Sequence, residues 1–338
     1  MLARVWLCGP VLAVAIALMV GSGQALAQQG ETVAERTDIK VTETKVAPSE
    51  SKCPATFDLT YTVMSDYIFR GINYSEYPGE GREDLNHQLN VDLGMDLAKL
   101  FGHDPGTWGH LGFATWFEWY AGQEKLNPIE GGQNLQEIDY TVYWKYPLRA
   151  IETDFTLGWT FYDFANLSTL LKRDPFPGND KDDTTNEWFV KFEHNDAWLW
   201  KWLWPQNDAG VLNPSLAVFH DTGIAAGNAA WIEFGLNHEF PVFDKLTVTP
   251  SWTLGVDHNY YREFAGDPDG KTTRLGNMLW GLDVSYDLTE LLRIPARWGT
   301  MRLSGLLYFS DALGNPENNG IIKDEFFGGV ALGYSFGG

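Results

Sequence analysis

Between Leu85 and Leu97 the side chains alternate without a break. Leu85, His87, Leu89, Val91, Leu93, Met95 and Leu97 fall on one parity, and Asn86, Gln88, Asn90, Asp92, Gly94 and Asp96 on the other. A period of two marks a β-strand whose two faces meet different surroundings. Thirteen residues is about twice the usual length of a strand in a soluble domain. The same rhythm runs from Phe57 to Arg70, where Phe57, Leu59, Tyr61, Val63, Tyr67 and Phe69 oppose Asp58, Thr60, Thr62, Asp66 and Arg70. Ten further segments repeat it, near residues 109–121, 136–146, 153–165, 186–195, 211–221, 229–239, 246–260, 275–287, 299–310 and 324–336. Twelve strands is an even number, as a single-chain bacterial barrel requires.

The connections sort into two sets. Those after odd strands are polar and rich in Gly, Asp, Asn and Pro, as in 71–84, 122–135, 166–185 and 262–274, whereas those after even strands include the short 147–152 and 241–245. Longer outer loops and tighter periplasmic turns fit a barrel whose N-terminus starts on the periplasmic side. Three even connections, 98–108, 196–210 and 288–298, are longer and carry aromatic residues, most densely Trp198, Trp200, Trp202 and Trp204. Four tryptophans there suit an interfacial belt, in which an indole buries its ring and keeps its N–H wet.

Alternation alone does not separate a soluble sandwich from a barrel in lipid. Strand length, an aromatic load of 20 Phe, 15 Trp and 14 Tyr, and the polarity of the second face favour the barrel. The fold expected is therefore all-β: a transmembrane antiparallel up-and-down β-barrel of about 12 strands over residues 57–338. Its apolar faces turn toward hydrocarbon and its polar faces enclose a hydrated lumen. The inward set is then Asp58, Asp66, Arg70, Asn86, Gln88, Asn90, Asp92, Asp96, Glu118, Glu137, Asp139, Lys145, Glu187, Lys191, Glu193, Glu233, Glu239, Asp257, Asp283 and Arg302. Carboxylates dominate that set, so the lumen is expected to be acidic.

The start of the chain differs. Residues 1–27 combine Arg4, an apolar run to Val20 and an Ala25-x-Ala27 ending, which reads as a signal peptide. Residues 28–56, poor in large apolar side chains, read as a disordered exported lead. After Val20 no window approaches 18 consecutive apolar residues, so any later membrane crossing must use strands. These features place the mature chain in the bacterial outer membrane, with lipid and the barrel-assembly machinery as partners and oligomerisation left open. A formal net charge of -21 opposes nucleic-acid binding. Two cysteines, Cys8 in the signal peptide and Cys53 in the lead, give no disulfide framework and no Cys-rich zinc site.

Catalytic signatures are missing. No phosphate loop, dinucleotide fingerprint, H-E-x-x-H, nucleophile elbow or C-x-x-C occurs, so neither an enzyme nor a cofactor nor a metal is expected. The Asp-rich stretches Asn179 to Asp183 and Asp267 to Asp269 read as solvated loop acids. Seven histidines are scattered, five of them on apolar faces near strand ends. A lipid-modifying barrel enzyme would pair such a histidine with a serine on the lipid side, and no serine stands in register.

The segment Val63-Met64-Ser65-Asp66-Tyr67-Ile68-Phe69-Arg70-Gly71-Ile72 resembles the Ser-Asp-Tyr-x-Phe-Arg-Gly signature of a family of proposed bacterial outer-membrane porins, the TorF family. The resemblance implies a barrel and a pore. On a continuous first strand Asp66 and Arg70 would share one inward face, free to pair with each other or with neighbouring strands, and Gly71 would end the strand. Passive diffusion of small cationic or neutral solutes through an acidic lumen is the function expected. A lipid-modifying barrel and a plugged structural or adhesive barrel are the alternatives, the second because Trp116, Phe189 and Trp231 point inward.

Overall fold

A computed structural model describes residues 53–75, 85–120, 135–163, 184–203, 209–223, 229–265, 273–318, 320 and 322–337. Twelve long strands form its wall: β1 (Ala55–Met64), β2 (Asn86–Asp96), β3 (His110–Tyr120), β4 (Leu135–Leu148), β5 (Thr153–Asp163), β6 (Thr184–His194), β7 (Ser215–Asp221), β8 (Ala230–Asn237), β9 (Leu246–His258), β10 (Thr273–Asp287), β11 (Thr300–Ala312) and β12 (Glu325–Gly337). Each pairs antiparallel with the next, and β12 returns to β1 in a register running from Thr56↔Gly337 to Met64↔Gly329. The barrel is closed, so no long strand leaves an unpaired edge. Among the described residues no helix is long and apolar enough to cross a membrane.

Alternation fixes the side-chain directions. Outward positions such as Leu111, Val142, Trp188, Leu216, Phe234, Trp280, Leu307 and Phe326 are exposed, Phe326 to 70%. Inward polar groups such as Thr60, Asn90, Glu118, Asp139, Glu187, Asp257 and Ser310 are buried. That polarity is the inverse of a water-soluble globule, in which charged side chains are the last to be buried.

Inward aromatic rings lie against glycines of neighbouring strands. Gly112 pairs with Tyr143, Tyr143 with Gly158, and Gly158 with Phe189 across β3 to β6. A Cβ on Gly112 would stand 2.0 Å from the Tyr143 ring, and one on Gly158 would stand 2.1 Å from the Phe189 ring. Only a residue without a side chain lets each ring lie flat on the wall.

Most strands fall within a few residues of the sequence reading, but the first does not. β1 stops at Met64 instead of running to Arg70, and it begins at Ala55 inside the segment read as the lead. An unexpected short strand, Phe240–Phe243, pairs with the start of β9. The rim that carries the start of β1 and the end of β12 is called the terminal rim below, and its opposite the far rim. The signal-peptide segment lies outside the described residues.

Candidate functional site

At the far rim the chain leaving β1 turns into the barrel. Ser65 N donates to Gly328 O at 2.8 Å, and residues 65–75 then form a small hairpin. Ile68 pairs with Asn73 and Phe69 with Ile72, so Arg70 and Gly71 alone make the tip. Their φ values are 48° and 80°. Positive φ at both positions is what a type I′ turn requires, and it ordinarily selects Asn-Gly. The hairpin is braced by Tyr74 N donating to Tyr67 O at 2.9 Å and by Tyr67 N donating to Ser75 Oγ at 2.7 Å.

Asp66 and Arg70 are therefore not two positions on one wall strand. Asp66 accepts from Asn73 Nδ2 at 3.4 Å within the hairpin, whereas Arg70 reaches across the lumen to β6. Its two terminal nitrogens donate to the two Glu187 carboxylate oxygens at 2.6 and 2.9 Å, both side chains being almost completely buried. Four aromatic faces surround the guanidinium, with its central carbon 4.5 Å from the Tyr260 ring centroid, 4.7 Å from Phe69, 4.9 Å from Phe219 and 5.9 Å from Trp231. Tyr162 Oη donates to the same Glu187 carboxylate, and Tyr261 Oη donates to the Arg70 carbonyl at 2.6 Å.

The rest of the hairpin packs against two sides of the barrel interior. Tyr67, Phe69 and Ile72 join a buried cluster with Trp116, Ala229, Trp231, Tyr260, Tyr261, Ala312 and Ile322. On the opposite side Ile68 packs on a second cluster of Met64, Leu306, Tyr308, Phe327 and Ala331. Tyr67 Oη donates to Glu137 Oε1 at 3.0 Å. Of the inward aromatics expected from the sequence, Trp116 and Trp231 belong to the first cluster, and Phe189 lies tilted against Phe219 with centroids 5.8 Å apart.

The inward residues divide by depth. In the far half, Asn86, Asn90, Glu118, Glu137, Asp139, Glu187 and Asp257 are buried under or beside the hairpin. Asn86 Nδ2 donates to Glu118, and Gln88 Nε2 donates to Asn86 Oδ1 at 2.8 Å. Asp257 accepts from Arg274 Nε at 2.9 Å and from Tyr261 N at 3.2 Å. Toward the terminal rim, Asp58, Asp92, Lys145, Lys191, Glu193, Glu233, Asp283 and Arg302 are only partly buried. Lys145 Nζ lies 3.0 Å from Asp154 and 3.3 Å from Glu193, and Lys191 Nζ lies 3.5 Å from Glu193. Tyrosine hydroxyls donate to two more acids, Tyr143 to Asp92 at 2.9 Å and Tyr308 to Asp283 at 2.8 Å. Glu233 accepts from Trp231 Nε1 at 2.6 Å, and Arg302 stands opposite Asp287 in the β10–β11 register.

Two expected lining residues serve elsewhere. Asp96 ends β2 and caps the short helix α1 (Leu97–Phe101), accepting from Lys99 N and Gly106 N at 2.9 Å each. Its parity is inward, but its carboxylate is spent on rim backbone. Glu239 lies beyond the end of β8, outside the wall ladder.

The terminal rim carries the aromatic side chains expected of an interface. Trp198 and Trp202 are exposed, Trp202 to 76%, beside exposed Leu199 and Leu203. Trp200 turns inward instead, donating from Nε1 to Asp196 Oδ2 at 2.7 Å, and Trp204 lies outside the described residues. Burial alone would raise the Asp196 carboxyl, but donation from Trp200 and from the backbone of Leu212, Asn213 and Val211 holds it below the ordinary value. Phe101, Trp108, Ile151, Phe243, Leu291 and Trp298 add exposed apolar surface on the same rim.

The hydroxyls beside the outward histidines come from residues other than serine. His258 Nδ1 lies 2.7 Å from Oγ1 of the cross-strand Thr273. His87 Nδ1 lies 2.7 Å from Tyr61 Oη and stacks on Trp119. Among the described residues no carboxylate is hydrogen-bonded to either ring, so the orienting third member of a hydrolytic triad is not assembled there. Nor do the described residues contain a group of three or more His, Cys, Asp or Glu able to hold a metal; the Asp-rich stretches 179–183 and 267–269 lie outside them.

No family model and no curated protein matches the chain. Solved structures similar in shape are outer-membrane barrels. The NanC porin is 10% identical, with 83% of this chain and 99% of that one covered and a TM-score of 0.39. An outer membrane channel from Pseudomonas putida F1 is 10% identical over 86% of this chain and all of its own, with a TM-score of 0.37. Outer membrane phospholipase A from Escherichia coli is 12% identical over 82% of this chain and 92% of its own, with a TM-score of 0.36. All three likenesses are of fold: the chain is a closed twelve-stranded antiparallel barrel.

Proposed function

We propose that this chain is a porin-like channel of the bacterial outer membrane that passes small cationic or neutral solutes through an acidic lumen, with the inward hairpin as its constriction. The observation that carries the reading is the inverted polarity of the wall, with leucine, valine and aromatic side chains outside and carboxylates inside. Such a wall is stable only if its outer face meets hydrocarbon, and the rim tryptophans then sit at the headgroups. The Ser-Asp-Tyr-x-Phe-Arg-Gly resemblance supports the same assignment. Inside, carboxylates outnumber basic groups, which lowers the energy of a passing cation and raises that of an anion. The test is the reversal potential of purified protein in planar bilayers under a salt gradient. Cation preference is expected; anion preference overturns the proposal.

The filled far half favours a second reading, a plugged and non-conducting barrel. Wild-type current separates the two: a channel conducts with the hairpin in place, whereas a plugged barrel is silent until residues 66–74 are replaced by a short Gly-Ser turn.

A further inference from the structure

The pocket around Arg70 has the composition of a receptor for an organic cation. Its wall contribution is the Glu187 carboxylate, fixed by the Tyr162 hydroxyl, together with the faces of Phe219, Trp231 and Tyr260. A carboxylate that accepts two parallel N–H bonds reads a planar fork, and aromatic faces within about 6 Å of the cation add attraction that a desolvated site strengthens. None of these groups belongs to the hairpin: Glu187, Tyr162 and Phe219 lie on wall strands β6, β5 and β7, Trp231 on β8, and Tyr260 just after β9.

The way the hairpin presents Arg70 points in the same direction. A type I′ tip is most readily built from Asn-Gly, and a non-glycine residue in the left-handed region costs roughly 1–2 kcal/mol. Arginine occupies that position here with φ 48°. The cost of placing a non-glycine residue there is set against what its side chain does, which is to insert a guanidinium between Glu187 and its rings.

We infer that this pocket is a binding site for planar guanidinium-type solutes, and that Arg70 fills it as a tethered stand-in for them. The inference rests on the channel reading above. A free guanidinium solute competes with Arg70 for Glu187, and its arrival releases the hairpin that closes the lumen.

The experiment uses the full chain in planar bilayers, with folding checked by heat-modifiable electrophoretic mobility. Arg70→Ala empties the pocket and should raise the sodium current severalfold. Methylguanidinium should then block that current at a concentration at least fivefold lower than methylammonium, which has the charge without the fork. Adding Glu187→Gln should abolish the difference between the two cations. In the wild-type protein, methylguanidinium should raise the current saturably and methylammonium should not, a measurement that stands even if Arg70→Ala does not fold. Equal block by both cations in an opened Arg70→Ala channel overturns the guanidinium site and leaves the channel reading intact. An Arg70→Ala protein that folds but carries no more current than wild type overturns Arg70 as the group that holds the constriction shut, and with it this inference, while the channel reading still stands or falls on the wild-type reversal potential.

Discussion

Arginine in place of Leu307 separates an embedded barrel from a soluble one by the size of its effect. Leu307 lies near the centre of the thirteen-residue strand β11, faces outward and is 48% exposed. In hydrocarbon that outward half carries about half of the ~1.5–3 kcal/mol contributed by a fully buried leucine, or about 1 kcal/mol. An arginine at the bilayer midplane costs about 2–4 kcal/mol more, so the expected total is about 3–5 kcal/mol. Leu303, 42% exposed on the same face, lies four residues nearer the terminal rim. Four residues at about 3.3 Å each, on a strand tilted about 40°, place it roughly 10 Å shallower in the membrane. The charge term there falls to about 0–1 kcal/mol, and Leu303→Arg should cost about 1–2 kcal/mol in all. Reversible urea unfolding in phospholipid vesicles, followed by tryptophan fluorescence, measures both. On a water-exposed surface each change would stay within about 0.5 kcal/mol. A Leu307→Arg protein as stable as wild type, or equal losses at the two depths, would refute the outward assignment.

Two further outcomes test the inner face and the rim. Gly158→Ala drives a Cβ into the Phe189 ring and should cost about 1–3 kcal/mol in the same assay, whereas Gly305→Ala, with no atom within 4 Å, should change stability little; equal effects would contradict the ring-on-glycine packing. The Asp196 carboxyl is held below its ordinary value, so it contributes stability above the usual carboxylate pKa of about 3.9 and loses it as pH falls through its folded value. Asp196→Asn should therefore be less stable than wild type near neutrality, with the gap narrowing below about pH 4; a gap constant across that range would remove Asp196 as the ionised acceptor of the turn.

The wall was legible because its two faces meet different solvents, which stamps a period of two on every strand. β9, for example, begins at the expected Leu246 and ends at His258, two residues early, because Asn259 adopts φ 58° and Tyr260 starts a short helix. The hairpin escaped for a related reason. A hairpin with a two-residue tip keeps the period of the strand it leaves, so Tyr67 and Phe69 still alternate with Asp66 and Arg70 after pairing has passed to a new partner. The usable signal was Arg70-Gly71 between apolar residues, a tip pattern that the strand reading absorbed. Long-range partners carry no local signal at all. Arg70 and Glu187 are 117 residues apart, and parity shows only that Glu187 faces inward. Asp96 and Glu239 show the complementary limit, because parity gives a direction but neither what a strand-end carboxylate binds, as at Asp96, nor whether the residue still lies on the wall, as at Glu239.

On the proposed channel reading, the acids that would favour cations and the acid that holds Arg70 belong to one inward population, and this would link permeation to the hairpin. Toward the terminal rim the carboxylates are partly exposed, so water, Lys145 and Lys191 share the task of neutralising them. Glu187, by contrast, is 2% exposed and pairs with Arg70. Removing that partner would leave a buried charge uncompensated, at a cost of about 3–5 kcal/mol. The hairpin therefore cannot withdraw Arg70 at equilibrium unless something of like charge takes its place or a proton neutralises the carboxylate. An anion or a neutral solute offers no such exchange, whereas a planar guanidinium-type cation that takes up both Glu187 oxygens does.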